Sequence, residues 1–389
     1  MFKDIHLKLI SNSKTIKASQ RIYSGDCEPI LLSSNETFIN LVSDYNEQAF
    51  LNDSEIWHIL FNGKQIKQPL KTKKTGIAIQ KGPYKDIYEE LSGLKPFSIN
   101  HQEYNLIPVD NIVLCDLLFA QGGVFEINEI HSALFFPYFL DQAKDGFKLT
   151  FIFINLLMSR FKEIACKVIS SLGYDIYLDG NNLLLNTLTA NDFARWLLLH
   201  EYCHNSGPLP LFSQNVNKFS KKSYGFIEEL RVDLTTIKII IENISLGILS
   251  SEFYNVIAII MAERIFRASI YNFNQHWTSD KGMFSKEVEG DTAIAFLVLL
   301  TKFNIFDPAN KILNIDIANT LQVVDMILSD IYKYEHLANE KSGFNSTHHI
   351  FSKFFRDKYF KMPVSAYDFL IANSVQDCNF YLNFMSEYE

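Results

Sequence analysis

Residues 189–208 read Thr-Ala-Asn-Asp-Phe-Ala-Arg-Trp-Leu-Leu-Leu-His-Glu-Tyr-Cys-His-Asn-Ser-Gly-Pro. Within them, His200-Glu201-Tyr202-Cys203-His204 forms the pattern His-Glu-x-x-His. On a helix, two histidines four positions apart present their imidazoles on one face, and the glutamate beside the first can reach a water bound to the same metal. The stretch therefore predicts a metal-binding helix with His200 and His204 as ligands and Glu201 as general base.

The ends of this helix can be predicted from its flanks. Thr189 followed by Asp192 suits an N-cap with a capping-box acid, and residues 205–208 supply a stop. Leu198 and Leu199 make the flanks of the histidine face apolar, so the helix is expected to be buried nearly all round. An alternative stays open, in which two core histidines bond to backbone carbonyls and the glutamate forms an ion pair.

A second helix is predicted over residues 224–244. Its apolar stripe contains Glu229 and Asp233, one turn apart, whereas the opposite side carries Glu228, Arg231, Lys238 and Glu242. Two carboxylates on a buried face are unfavourable without a cation or hydrogen-bond donors. A zinc ion held by the two histidines would be that cation, and the second carboxylate could accept from a ligand imidazole. Glu228 is expected to face solvent, rotated about 100° from Glu229.

The combined pattern, His200-Glu201-x-x-His204 followed by Glu229-x-x-x-Asp233, resembles the gluzincin class of thermolysin-like zinc metallopeptidases. The resemblance implies that Glu229 is the third zinc ligand and that Asp233 orients a ligand histidine. The string from Glu228 to Asp233 is also similar to the Glu-Glu-x-Arg-Ala-Glu helix of dipeptidyl peptidase III. That family has one more residue between its histidines, and glutamate where this chain has Asp233.

Composition favours a globular enzyme. The 389-residue chain is 48% hydrophobic, 14% aromatic and 21% charged, which excludes a disordered chain and allows a substantial core. Its formal net charge of −8 argues against a general nucleic-acid binder, so no nucleic-acid partner is expected.

A cytoplasmic location without a membrane partner is expected from two observations. The five cysteines are odd in number, widely spaced and form no Cys-x-x-Cys, which favours reduced thiols. The first residues, Met-Phe-Lys-Asp-Ile-His, contain no apolar signal core, and the longest apolar runs, around 149–158 and 292–300, are too short to cross a bilayer.

The predicted fold class is α+β and predominantly helical, with zincin-like metal-site helices. Turn signals between short alternating segments indicate a mixed, strand-containing region over residues 1–110. Residues 111–389 are expected to form a mainly helical metal-binding domain. Within it, residues 147–171 predict a helix ending near Gly173, and residues 174–186 predict a small hairpin ahead of the metal helix.

Stabilising the transition state of a hydrolysis requires a further hydrogen-bond donor. The candidates in the sequence are Tyr224, Arg267, His276 and His336. Each also has a structural interpretation. Arg267, for example, lies one helical turn after Glu263 and could pair with it.

Three functions remain open at this point. The first is a zinc-dependent hydrolase of peptide or amide bonds, a metallopeptidase with one zinc per chain and a peptide or small-molecule substrate. The second is a zinc enzyme with non-proteolytic tailoring or cyclising chemistry on a small metabolite. The third is a non-catalytic protein whose zinc has four protein ligands.

Overall fold

The structure is a computed structural model that describes residues 56–62, 74–81, 84–108, 112–121, 133–136, 149–209, 221–268, 288–340, 354–355 and 357–374. The described residues have an α+β fold that is mostly helical with small sheets, as the sequence predicted.

The helices are numbered in chain order. They are α1 (Lys85–Ser92), α2 (Ile154–Phe161), α3 (Lys167–Leu172), α4 (Ala190–His204), α5 (Lys221–Ser245), α6 (Tyr254–Arg267), α7 (Val288–Lys302), α8 (Ile317–Glu340) and α9 (Val364–Ser374). A π-helical turn over Lys162–Cys166 joins α2 to α3, and 3₁₀ turns cover Leu185–Thr187 and Ser251–Phe253.

The strands are short. They are β1 (Ile56–Asn62), β2 (Lys74–Lys81), β3 (Phe97–Ile99), β4 (Gln102–Tyr104), β5 (Ile112–Gln121), β6 (Ala133–Phe136), β7 (Leu149–Phe153), β8 (Asp175–Leu178), β9 (Asn181–Asn182), β10 (Phe306–Asp307) and β11 (Ile312–Ile315).

The chain divides into two compact units, and the first takes in Met1–Tyr88, Asp110–Arg160 and Leu382–Glu389. Its described strands form one five-stranded sheet in the order β1-β2-β5-β7-β6, antiparallel except where β5 lies parallel to β7. Strands on both sides of residue 110 therefore belong to one sheet.

The second unit takes in Glu89–Val109 and Phe161–Tyr381 and contains helices α3 to α9. Helix α5 lies at its centre, in contact with α4, α6, α7 and α8. A four-stranded sheet in the order β10-β11-β8-β9 belongs to the same unit, with β11 parallel to β8. Among the described residues, no helix combines the length and the apolar character needed to cross a bilayer.

Helix α4 begins and ends where the sequence predicted. Thr189 is its N-cap, and Oδ2 of Asp192 accepts hydrogen bonds from the backbone nitrogen of Thr189 at 2.9 Å and from its hydroxyl at 2.8 Å. Asn205 follows the last helical residue as the C-cap. The capping box satisfies backbone donors that would otherwise lack partners, which fixes the start of the helix.

The hairpin ahead of α4 is formed by β8 and β9, with Leu178 opposite Asn181. Its turn is the dipeptide Asp179-Gly180, with φ angles of 47° and 77°. Positive φ at both central positions is typical of the tight turns that match strand twist, and glycine adopts it without strain. The returning strand is Asn181–Asn182, two residues that the sequence assigned to the turn, whereas residues 183–186, predicted as that strand, run into the 3₁₀ turn at Leu185–Thr187.

The prediction of one helix over residues 147–171 was wrong in its first part. Leu149–Phe153 is strand β7, and the helix starts at Ile154. Both elements are buried, with Ile152, Phe153 and Ile154 at most 1% exposed. A continuous apolar run does not distinguish a buried strand from a buried helix, so the periodicity could not locate this change.

The predicted polar side of α5 was also wrong. Glu228, Arg231 and Lys238 are all buried, because neighbouring helices cover that side of α5. Arg231 pairs with Glu335, and Lys238 pairs with Asp325, both on α8. Charged side chains inside a protein require such partners, so the charges on this side indicate ion pairs between helices.

Candidate metal centre

Helix α4 brings its two histidines together one turn apart. Nε2 of His200 lies 3.2 Å from Nε2 of His204, and both side chains are buried. The shared face follows from the helical repeat, since residues i and i+4 lie above one another.

Helix α5 adds a carboxylate at the same point. One oxygen of Glu229 lies 3.3 Å from Nε2 of His200, and the other lies 3.7 Å from Nε2 of His204. Two imidazole nitrogens and a carboxylate, from two packed helices, therefore converge on one small region. The sequence predicted this group of residues, and the structure brings them together.

Asp233, one turn after Glu229, lies fully buried behind His200. Its Oδ1 accepts from Nδ1 of His200 at 2.8 Å and from Nε1 of Trp196 at 3.1 Å, while its Oδ2 accepts from Nε of Arg264 at 2.7 Å. The structure thus shows which of the two histidines Asp233 contacts, a choice that the sequence left open. Trp196 and Arg264 were not predicted to take part.

Glu228 does not face solvent, which corrects the sequence-based expectation. Its Oε1 accepts from Nδ1 of His204 at 3.0 Å, and the residue is buried. The two histidines are thus held from different sides of α5, His204 by Glu228 and His200 by Asp233. The helical wheel gave the angle between Glu228 and Glu229 correctly, but it could not show that α4 packs across both positions.

These contacts fix the protonation of the rings. An ionised carboxylate only accepts hydrogen bonds, so the Nδ1 atoms of His200 and His204 must carry the hydrogens that Asp233 and Glu228 accept. In neutral rings, both Nε2 atoms then have lone pairs directed toward each other and toward Glu229. A shared proton or a metal cation stabilises such converging electron-pair donors, and the donor set of two imidazoles and one carboxylate is one that zinc prefers.

The charges around the two histidines also favour a positive charge at this position. Burial opposes protonation of His200, but the carboxylates of Asp233 and Glu229 together outweigh burial and raise the pKa of His200 to about 10. The pKa of His204 is also raised, because Glu229 and Glu228 outweigh its burial. Burial alone would raise the pKa of Glu229, yet the two histidines and Arg264 lower it to about 2. The centre is therefore an anionic environment that favours positive charge.

Glu201 lies beside the converging donors. Ligand atoms of His200, Glu201 and His204 all lie within 4.8 Å of one another. Burial raises the pKa of the Glu201 carboxyl above its ordinary value. This position suits two different roles, a base next to a bound metal or a further ligand to it.

Two of the candidate transition-state donors have other partners in the structure. Nη1 of Arg267 lies 3.2 Å from Oε1 of Glu263, the structural pairing considered above. Nε2 of His336 lies 2.6 Å from the hydroxyl of Tyr104. Tyr224 belongs to α5, but its side chain lies outside the described part of the chain, and so does all of His276.

Sequence comparisons identify no matching family model and no matching curated protein. Comparison of folds finds the structure of dipeptidyl-peptidase III from Corallococcus sp. strain EGB, with a TM-score of 0.50 and 12% identity over 90% of this chain and 64% of that one. It also finds the structure of DPP III from Caldithrix abyssi, with a TM-score of 0.49 and 16% identity over 90% of this chain and 62% of that one.

The chain therefore spans less than two thirds of the length of both solved structures. At this identity the likeness to the Corallococcus structure concerns the fold, a predominantly helical α+β architecture.

Proposed function

We propose that the chain is a zinc-dependent hydrolase of peptide or amide bonds. The observation that carries the proposal is the convergence of His200, His204 and Glu229, with both histidine Nδ1 atoms engaged by buried carboxylates. These three residues would hold one zinc ion per chain. Three protein ligands from two helices match the composition of catalytic zinc sites, which keep a fourth position open.

A zinc ion held by these residues would supply Lewis acidity, which would activate water near neutral pH and polarise a substrate carbonyl. The role of Asp233 and Glu228 is to keep the Nδ1 hydrogens in place, so that the Nε2 lone pairs remain available. Partners of this kind fix the orientation of a ligand ring as well as its tautomer.

Glu201 is proposed as the general acid and base. Its carboxylate would accept a proton from the attacking water and deliver it to the leaving nitrogen. Proton transfer of this kind requires a carboxylate within hydrogen-bond reach of the reacting atoms, and Glu201 is adjacent to both imidazoles.

Peptides are the substrate class that the fold favours. The likeness to dipeptidyl-peptidase III, a peptidase by name, supports this choice. The site chemistry alone would equally serve a zinc enzyme acting on a small metabolite, so the substrate class rests on the fold.

The test is a substrate screen with purified protein of measured zinc content. Chromogenic dipeptide amides, longer peptides and small acyl amides are offered to the zinc form, to a chelated form and to a form reloaded with zinc. We expect hydrolysis of a peptide or amide bond that is lost on chelation and returns with zinc. Turnover of small amides without any peptide would favour the metabolite enzyme. A zinc form without activity on the whole panel would contradict the proposal.

A further inference from the structure

Arg231 is a fully buried cation of α5. The residue lies between Glu229 and Asp233 in sequence and is 0% exposed. Its Nη1 donates to the carbonyl oxygen of Ser206 at 2.8 Å and to that of Cys203 at 3.3 Å. Its Nε lies 3.1 Å from Oε1 of Glu335 on α8.

The carbonyl of Cys203 belongs to the last turn of α4, and that of Ser206 lies two residues after the last helical residue, His204. The carboxyl end of a helix carries partial negative charge. The guanidinium complements this charge and bonds both the last turn of α4 and the chain that leaves it. Arg231 thereby joins the end of the histidine helix to the helix that carries Glu229.

Gly207 shows how closely the chain passes over this guanidinium. The residue has a φ of +99°, and a Cβ at this position would lie 3.2 Å from Nη1 of Arg231 and 3.0 Å from the hydroxyl of Tyr332. Glycine both adopts this conformation and permits the approach. The chain leaving α4 is thus packed directly against Arg231.

We propose that Arg231 is a positioning residue for the metal centre. It sets the position of His204 relative to Glu229, although it contacts neither the metal nor the substrate. The proposal rests on the zinc site proposed above. Ligand geometry in such sites must be held to within about 0.5 Å, so a small movement of the end of α4 is expected to weaken metal binding.

Lys238 provides a matched control. It lies seven residues after Arg231 on α5, close to two full turns, and therefore on nearly the same side of the helix. It is 3% exposed and pairs with Glu242 and Asp325, neither of which belongs to α4. Its replacement removes a buried cation from the same helix without releasing the end of the histidine helix.

The experiment measures zinc dissociation constants by chelator competition for the full chain and for Arg231→Met and Lys238→Met. Visible absorption of the cobalt-substituted proteins reports ligand geometry, and thermal unfolding of each protein reports stability. We expect Arg231→Met to weaken zinc binding about tenfold, at the low end of the effect of residues that orient ligands. Its cobalt spectrum should change. Lys238→Met should lower the unfolding temperature but keep the zinc affinity and spectrum of the unaltered chain.

The proposal is overturned if Arg231→Met binds zinc as tightly as the unaltered chain, or if Lys238→Met weakens zinc binding equally. Should Arg231→Met fail to fold, Arg231→Lys is compared with Lys238→Met instead. The lysine ammonium keeps the charge but cannot reproduce the planar arrangement of donors of the guanidinium. Weaker zinc binding in the lysine variant supports the proposal, and unchanged binding overturns it. An unaltered chain that binds no zinc would refute the metal centre itself, a different result from equal affinities.

Discussion

Nε of Arg264 lies 2.7 Å from Oδ2 of Asp233, and both side chains are buried, at 7% and 0% exposed. This ion pair links α6 to α5 directly behind the ring of His200. Arg264 also lies over the ring of Trp196, whose Nε1 donates to the other oxygen of Asp233. The carboxylate that orients His200 is therefore held by a cation and an indole as well as by the imidazole.

Arg264→Met is expected to destabilise the protein strongly, because it leaves Asp233 buried without its cation. Breaking a buried pair from one side costs about 3–5 kcal/mol, and a value near the lower end is expected since His200 and Trp196 still donate. Chemical denaturation measures the free energy of unfolding. Lys358→Met is the control, since the exposed Lys358 pairs with Asp330 on α8 and its loss should cost about 1 kcal/mol or less. Equal losses in both variants would contradict the buried-pair argument.

Purified protein is expected to contain about one zinc per chain. His200→Ala and His204→Ala should each remove most of it, because either change leaves only two of the three proposed ligands. Elemental analysis after dialysis provides the measurement. Unchanged zinc in both variants would mean that the metal is held elsewhere.

The variant Glu201→Gln distinguishes a role of Glu201 as general base from a role as metal ligand. A glutamine has nearly the same shape but cannot take up the proton, so turnover should fall about a hundredfold or more while zinc content is retained. Glu252→Gln, at an exposed position, is the matched control. Loss of zinc in Glu201→Gln would assign Glu201 to the metal as a ligand. Activity within a few-fold of the unaltered chain would exclude the proposed mechanism.

The four carboxylates of α5 are expected to differ in their effects on zinc affinity. Glu229→Ala should remove most of the affinity, since it deletes a proposed ligand. Asp233→Ala and Glu228→Ala should each weaken binding about tenfold to a hundredfold, because each releases the ring of one histidine. Glu242→Ala, on the same helix but paired with Lys238, should have little effect. Isothermal titration with a competing chelator measures all four.

The decisive result in that series concerns Glu228. The sequence alone predicts almost no effect for Glu228→Ala, whereas its contact with His204 predicts a clear loss. A zinc affinity equal to that of the unaltered chain would show that this contact does not orient the ring.

The sequence predicted what depends on a single helix. The capping box of α4, the shared face of His200 and His204, and the spacing of Glu229 and Asp233 all follow from the repeat of 3.6 residues. Predicting such features requires no knowledge of what packs against the helix. The hairpin ahead of α4 was also predicted, but with its turn over residues 179–182, whereas the chain turns at Asp179-Gly180 and pairs again from Asn181.

The remaining features depend on how helices cross. Glu228 was misplaced because its burial depends on α4 passing over α5, and Arg264 was missed because α6 is remote in sequence. Trp196 did carry a local signal, since it lies four residues before His200 on the same face. Strand β7 was assigned to a helix because its neighbours in the sheet, β5 and β6, determine its conformation.

Residues 226–241 of α5 are buried almost throughout, and this has a consequence for hydrogen exchange. The helix packs against four others, and Ile227, Leu230, Val232 and Ile237 are each 0% exposed. Amides in such a segment exchange only when the whole unit unfolds, whereas frayed ends and surface elements exchange through local opening. The part of the chain whose amides should exchange most slowly therefore includes Glu228, Glu229 and Asp233. Partial unfolding elsewhere in the unit should leave the distances between these three carboxylates unchanged.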